Sequence, residues 1–408
     1  MTFLQAKEKL AKYGQEHVLK YYDELSESER EALLEQIETT DMSVLELYSH
    51  RDGENRRGKI TPLTAMQLAE IEENRASFTE TGIEAIRQGK VAAVLLAGGM
   101  GTRLGSDDPK GMYNVGLTRE LYIFQCLMNN LTDVVKQAGR YIHLFVMTSD
   151  RNHEATVNFL TEKKFFGYRE EYVHFFKQEM TVVMDDGGKI IMEDKGRLSL
   201  SPNGNGGWFL SMRNAGLTDF AKREGVEWLN IFAVDNVLQR IADPCFVGAV
   251  IQKECVAGAK VVKKSAPDEK VGAMCLEDGR PSIVEYYEMT DELMNAKDEK
   301  GEPAYNFGVI LNYLFNVEEL LRISDEKLPL HVVRKKASYL DGEGRLVKPE
   351  EPNGVKFESL VLDMIHRMKS CLPFEVLRER EFAPVKNKTG IDSVESAREL
   401  LKRNGVEV

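Results

Sequence analysis

The chain has 408 residues, room for a large core with one or two appendages rather than a single small domain. Its 54 Lys and Arg against 66 Asp and Glu leave a formal charge of −12 without basic clusters, which argues against nucleic acid or anionic membrane as partner. Apolar runs fall short of a membrane span, the N-terminus is too charged for a secretory signal, and five scattered cysteines without a CxxC pair predict free thiols in a reducing cytoplasm.

Residues 1–88 read as a helical region with a packing role. Leu10, Val18, Leu19, Tyr22 and Leu25 recur at helix-like spacings, and Ser26-x-x-Glu29 forms a capping-box signature before Leu33, Leu34 and Ile37. Arg51 to Gly58 is polar and predicts a loop, and Gln67 to Lys90 a further helix. At Val91 the pattern changes. Val91 to Ala97 is an uncharged apolar run of the kind buried on both faces of a parallel sheet. It leads into Gly98, Gly99 and Gly101, which lack a Cβ, so the backbone there is free to take positive φ and press close to a ligand. Successive N–H groups in such a turn form an anion-binding concavity. Arg103 adds a planar fork of donors and Lys110, after Pro109, a point charge. The loop fits neither the Walker A pattern nor G-x-G-x-x-G, since Leu104 stands where the last glycine would be.

Beyond the loop, strand candidates at Ile142–Thr148, Val173–Phe176, Trp228–Val234, Gly258–Val262 and Ser282–Tyr287 alternate with helical stretches such as 121–137 and 154–164. That alternation predicts an α/β fold with a mixed, mostly parallel sheet, flanking helices and ligands at the carboxyl ends of the strands. Four further segments stand out. Ser201-Pro202-Asn203-Gly204-Asn205-Gly206-Gly207 is a tight loop, although Asn-Gly alone marks a hairpin turn. Asp235 ends the apolar run Ile231–Val234, where a hard Mg²⁺ ion would find a carboxylate, or where the residue would cap the next helix. Ile283-Val284-Glu285-Tyr286-Tyr287-Glu288 precedes Tyr305-Asn306-Phe307-Gly308, and Glu381 to Asn387 reads EFAPVKN. A final helix is predicted over Ser393–Asn404.

AGGMGTRLGSDDPKGMYNVGL, together with the loop at 201–207, Val234-Asp235-Asn236 and EFAPVKN, resembles the eukaryotic-type UDP-sugar pyrophosphorylases, and within them the UDP-N-acetylhexosamine branch. The resemblance runs over nearly the whole chain. It implies a Rossmann-like (GT-A-like) nucleotidyltransferase domain over 89–384, behind the N-terminal helical region and before a short tail at 385–408. The family's C-terminal β domain would be largely absent from so short a tail. Met100, Asn203, Phe307 and Val309 depart from the family pattern.

The resemblance further implies residue roles. Leu96, Ala97, Gly98, Gly99, Gly101, Thr102, Gln178 and Gly204 would face the nucleotide, the Gln178 amide pairing with uracil. Asn205, Glu288 and Asn306 would hold the sugar, and Asp235 the Mg²⁺. Arg103, Lys110 and Lys386 would be catalytic. The implied reaction is UTP plus a sugar 1-phosphate giving UDP-sugar and pyrophosphate in the cytoplasm. The sugar would be N-acetylglucosamine or N-acetylgalactosamine, with glucose or galactose as the alternative. A phosphate monoester is already anionic at neutral pH, so no general base is required. A non-catalytic UDP-sugar-binding regulator is the alternative from another class, and it would dispense with Lys110, Asp235 or Lys386, all of which are present.

Overall fold

The computed structural model describes residues 1–49, 57–326 and 328–408. By contact the chain forms two units, each discontinuous: residues 1–56, 179–207 and 328–360, and residues 57–178, 208–327 and 361–408. This division cuts across the three consecutive regions read from the sequence. The helix Leu68–Arg87, expected with the N-terminal region, sits in the second unit against the helix Pro244–Gln252. The tail helix Val394–Arg403 buries Val394, Ala397 and Leu401 in the same core. Of the loop expected over 51–58, only Arg57 and Gly58 lie within the described residues.

The second unit is built on a ten-stranded mixed sheet. Its strands are β1 (Ile60–Pro62), β2 (Val91–Leu96), β3 (Leu144–Thr148), β4 (Val173–Lys177), β5 (Trp228–Ala233), β6 (Ala257–Lys263), β7 (Ala273–Glu277), β8 (Arg280–Val284), β9 (Phe307–Asn316) and β10 (Leu372–Glu375). The main order is β1-β7-β9-β5-β2-β3-β4, and the run β5-β2-β3-β4 is parallel throughout. Every residue of β2 and β3 is buried, as their unbroken apolar sequences require. β9 turns the sheet antiparallel against β5, and β6 pairs with β9 and with β10. The helix Ile123–Ala138 carries Phe124, Leu127, Met128, Leu131, Val134 and Val135 into the core at helical spacing. Gly139 ends it in the left-handed conformation. β8 stops at Val284, so Glu285 to Tyr287, predicted to continue the strand, instead enter a turn that ends at Glu288. The Glu288 N–H bonds the Glu285 carbonyl at 2.9 Å, closing that turn.

In the first unit the helices Phe3–Ala11 and Glu27–Thr39 both start with a capping box, the second being the predicted Ser26–Glu29 pair. Leu10, Leu33 and Ile37 pack with Val182, Met184, Met192, Leu198, Val355 and Phe357 from the short hairpins of the later segments. The expected packing role of the N-terminal helices is thus exercised on residues 179–207 and 328–360.

Candidate active site

The parallel strands β2, β3, β4 and β5 each deliver polar groups at their carboxyl ends, where open α/β sheets bind ligands. β2 runs through Leu96 and Ala97 into the glycine-rich loop. The loop folds on itself: the Gly101 N–H bonds the Asp108 carbonyl at 2.8 Å and the Lys110 N–H the Gly99 carbonyl at 3.1 Å. The N–H groups of Gly98, Gly99 and Met100 have no partner among the described residues, which leaves three consecutive donors for an anion. The expectation of positive φ at Gly98, Gly99 and Gly101 is not met. Gly105 is the left-handed residue of the loop, at φ 71°. The other glycines answer to space. A Cβ on Gly98 would stand 2.5 Å from the Gln178 amide nitrogen, whereas one on Gly99 would meet nothing within 4 Å.

Gln178 follows β4, its backbone N–H bonding the Thr148 carbonyl at 2.8 Å. The residue is only 8% exposed, yet its side-chain amide bonds none of the described residues. Its amide donor and acceptor are thus left open to a ligand. From β3 comes Asn152, fully buried, which donates to the Ala97 carbonyl at 2.9 Å and accepts from the Ser149 N–H at 2.8 Å. It fixes the strand-to-loop junction, and the sequence reading missed it. Its only signal there is a polar cluster, Thr148 to Asn152, just past an apolar strand.

Asp235 follows β5, half-buried, its carboxylate without a hydrogen bond or ion pair among the described residues. Asn236 beside it joins this turn to the EFAPVKN segment: its amide donates to the Glu381 carbonyl at 2.7 Å and accepts from the Ala383 N–H at 2.9 Å. The Val385 N–H bonds the Asp235 carbonyl at 2.9 Å. Lys386 is thereby set beside Asp235, its ammonium ion-paired to Asp392 at 3.0 Å. Lys110 is half-buried and has no hydrogen bond or ion pair among the described residues. Burial lowers its pKa; the Asp235 carboxylate opposes this, and the positive charges of Arg103 and Lys386 add to it. Lys110, Arg103, Lys386 and Asp235 therefore share one electrostatic neighbourhood. Thr102 and Arg103 lie exposed on the loop rim.

Asn306 precedes β9 with a half-buried side chain that bonds none of the described residues. Glu288 stands otherwise. Arg57 grips its carboxylate with two nitrogens, at 3.2 and 2.7 Å, and the Glu285 N–H adds a third bond at 3.0 Å. Arg57 also reaches Glu277 at 3.2 Å. Most of the acceptor capacity expected for sugar hydroxyls is thus already engaged by a residue that the sequence reading had placed in a plain loop.

Gly204 and Asn205 belong to the first unit. Gly204 takes φ 90°, and a Cβ there would lie 2.2 Å from the Ser359 carbonyl oxygen, so both shape and conformation demand glycine. The Ser359 N–H bonds the Asn203 carbonyl at 2.8 Å and the Gly206 N–H the Ser359 carbonyl at 2.9 Å, pinning the loop. Lys335 and Lys356, not singled out from the sequence, reach Ser201 Oγ at 3.4 Å and the Pro202 carbonyl at 3.3 Å. Only the fold reveals them, since they lie more than a hundred residues from that loop.

The family described as UTP–glucose-1-phosphate uridylyltransferase matches residues 44–405. UDP-N-acetylhexosamine pyrophosphorylase-like protein 1 of Homo sapiens is 35% identical over 418 residues, 96% of this chain and 82% of that protein. UDP-N-acetylglucosamine pyrophosphorylase of Saccharomyces cerevisiae is 34% identical over 396 residues, 94% and 82% of the respective chains. The crystal structure of the uridine diphosphate N-acetylglucosamine pyrophosphorylase from Trypanosoma brucei, in complex with inhibitor, superposes with a TM-score of 0.81 at 27% identity, covering 97% of this chain and 83% of that one.

Proposed function

The chain belongs to the UTP–glucose-1-phosphate uridylyltransferase family, and from that premise we propose that it transfers uridylyl from UTP to an N-acetylhexosamine 1-phosphate, giving the UDP-sugar and pyrophosphate. The observation that carries this reading is Lys110: a half-buried ammonium with no partner among the described residues, beside three unpaired loop amides and in the field of Arg103, Lys386 and Asp235. Such a place suits a polyphosphate, whose charge replaces the missing counter-ion.

The chemistry needs no proton transfer. An oxygen of the sugar phosphate attacks the α-phosphorus of UTP, and the bond from that phosphorus to the oxygen it shares with the β-phosphorus breaks, that oxygen leaving as a terminal oxygen of pyrophosphate. The barrier is the repulsion of two polyanions, so positioning and charge neutralisation supply the catalysis. The loop amides, Arg103 and Lys110 hold the triphosphate, and Lys386 exchanges Asp392 for the incoming phosphate. The unpaired Gln178 amide reads uracil, and the free Asn306 amide a sugar hydroxyl. The parts assigned to Thr102, Gly204, Asn205 and Glu288 rest on the resemblance of their motifs, and for Glu288 on acceptor capacity left over from Arg57. Asp235 fits Mg²⁺: its oxygens are unpaired among the described residues, and that ion is commonly held by a single carboxylate together with phosphate and water oxygens. Bound there, Mg²⁺ would neutralise phosphate charge. The five cysteines are all free thiols, which supports a reducing cytoplasmic setting.

The test is pyrophosphate release from UTP and Mg²⁺ across N-acetylglucosamine, N-acetylgalactosamine, glucose and galactose 1-phosphates. Release with the N-acetylated sugars is the expected outcome. Release with plain hexoses only would replace the sugar, and silence across the panel with retained UDP-sugar binding would replace the enzyme by a sensor.

A further inference from the structure

Lys260 on β6 is fully buried, and nothing in the reaction uses it. Its ammonium bonds the Asp243 carboxylate at 2.9 Å and the Glu381 carboxylate at 2.5 Å. Asp243 caps the helix Pro244–Gln252, accepting the Cys245 N–H at 3.2 Å. It lies eight residues beyond Asp235 in the chain, and Glu381 five residues before Lys386. Arg240 approaches Asp243 at 3.6 Å, so the cluster holds two cations and two carboxylates. Burial favours the neutral forms of Lys260 and Asp243, but the ion pairing outweighs it and both stay charged; at Glu381 burial prevails and raises the carboxyl pKa despite Lys260.

We propose that Lys260 is a positioning residue for the uridylyl transfer, one buried ammonium that fixes the Asp235 turn and the Lys386 segment against each other through Asp243 and Glu381. This rests on the proposed uridylyltransferase reading for its effect on turnover, though not for its effect on structure. The linkage is short. The Glu381 carbonyl receives the Asn236 amide, the Ala383 N–H returns to Asn236, and the Val385 N–H bonds the Asp235 carbonyl. The first of these bonds ends on Glu381, which Lys260 grips, the last ends on Asp235, assigned to the metal, and Asn236 and Ala383 connect the two. A buried cluster from which only one sign of charge is removed is left with an unpaired charge, whereas removing the ammonium together with both carboxylate charges, with shape preserved, is far better tolerated. That difference separates positioning from bulk stability.

The experiment compares the full-length chain with the triple variant Lys260→Met/Asp243→Asn/Glu381→Gln, in which the ammonium and both carboxylate charges are removed and the asparagine replacing Asp243 keeps a helix-capping side chain, by amide hydrogen exchange without ligand, and by kcat and KM where wild type turns over. Expected is a loss of protection of at least about tenfold at the amides of Val385 and Lys386, with the amides of β2 unchanged. With substrates, kcat falls by roughly 10–100-fold while KM for UTP stays within about threefold, as for a misplaced catalytic group. Unchanged protection at 385–386 overturns the proposal. So does a loss spread evenly over the sheet, or a triple variant that does not fold, since either places the cluster in global stability. A wild type silent with every sugar phosphate defeats the reaction reading alone, because the exchange experiment still decides what Lys260 holds.

Discussion

In the proposed reaction Lys110 concentrates the chemistry of the site in one side chain. A lysine without a hydrogen-bonded partner in a half-buried position is less stable there than in water; the Asp235 carboxylate offsets part of this, and in the proposed reaction the bound polyphosphate supplies the rest. Lys110→Met should therefore cost roughly 10²–10³-fold in kcat, the range seen when one charge-stabilising donor is removed. Its melting temperature should equal or exceed that of wild type, since no bond to a described residue is lost. A variant with near-normal kcat would move the phosphate contact elsewhere. Arg57 makes the complementary case. It neutralises Glu288 and Glu277 at once, and the two carboxylates raise its own pKa against the opposing pull of burial. Arg57→Ala frees the Glu285–Glu288 turn, so KM for the sugar phosphate should rise by roughly tenfold, about 1.4 kcal/mol, with KM for UTP unmoved. Steady-state kinetics with each substrate varied would show it, and an equal rise in both constants would make the pair purely structural. The Glu288 motif was legible in the sequence, but its partner was not. An arginine more than two hundred residues away, in a polar run, carries no local signal of the carboxylates it will meet.

Among elements, the apolar strands and the loop that follows β2 were readable because period and composition agree there. β2, β3, β4, β5 and β6 were all located from sequence, with ends displaced by at most two residues. What escaped were contacts set by absence of a side chain. The helices Leu68–Arg87 and Pro244–Gln252 touch backbone to backbone. A Cβ on Gly82 would stand 1.9 Å from the Pro244 carbonyl oxygen, and one on Gly248 1.8 Å from that of Phe78. In the sequence these glycines look like mild helix weaknesses, since only the partner helix gives them a purpose. Gly248→Ala should force the helices apart and destabilise the fold by about 1–3 kcal/mol, although alanine is the better helix former. A urea midpoint equal to or above wild type would show that the helices yield without cost. The short hairpins of the first unit were missed for another reason. Their strands run two to five residues, too short for periodicity, although Asp185-Asp186-Gly187-Gly188 between Val-Val-Met and Lys-Ile-Ile-Met was a turn signal in plain view.

For the molecule as a whole, one place stands out where acidity should matter. His143 and His174, on the adjacent β3 side and β4, share a ring-to-ring bond of 3.0 Å. Tyr172, Phe145 and Phe220 pack around them, and Glu224 lies 3.8 Å from His143. Burial, and secondarily His143, pushes the His174 pKa from 6.5 down to about 4, with Glu224 opposing. Burial also lowers His143, against Glu224 and with Arg140. The folded chain thus prefers neutral rings, and the unfolded chain binds more protons between pH 6.5 and about 4. Stability rises with pH through that window, is complete above it and is lost as pH falls across it. Discounted for partial exposure, the loss is about 1–2 kcal/mol. Carboxylates titrate in the same range, so the decisive comparison is with His174→Phe, whose ring suits the aromatic surroundings and cannot bind a proton. Its urea midpoint should fall less than that of wild type between pH 7 and pH 4.5. Parallel curves would mean that the unfolded chain already holds the pair as the fold does, and that acid sensitivity belongs to the carboxylates alone.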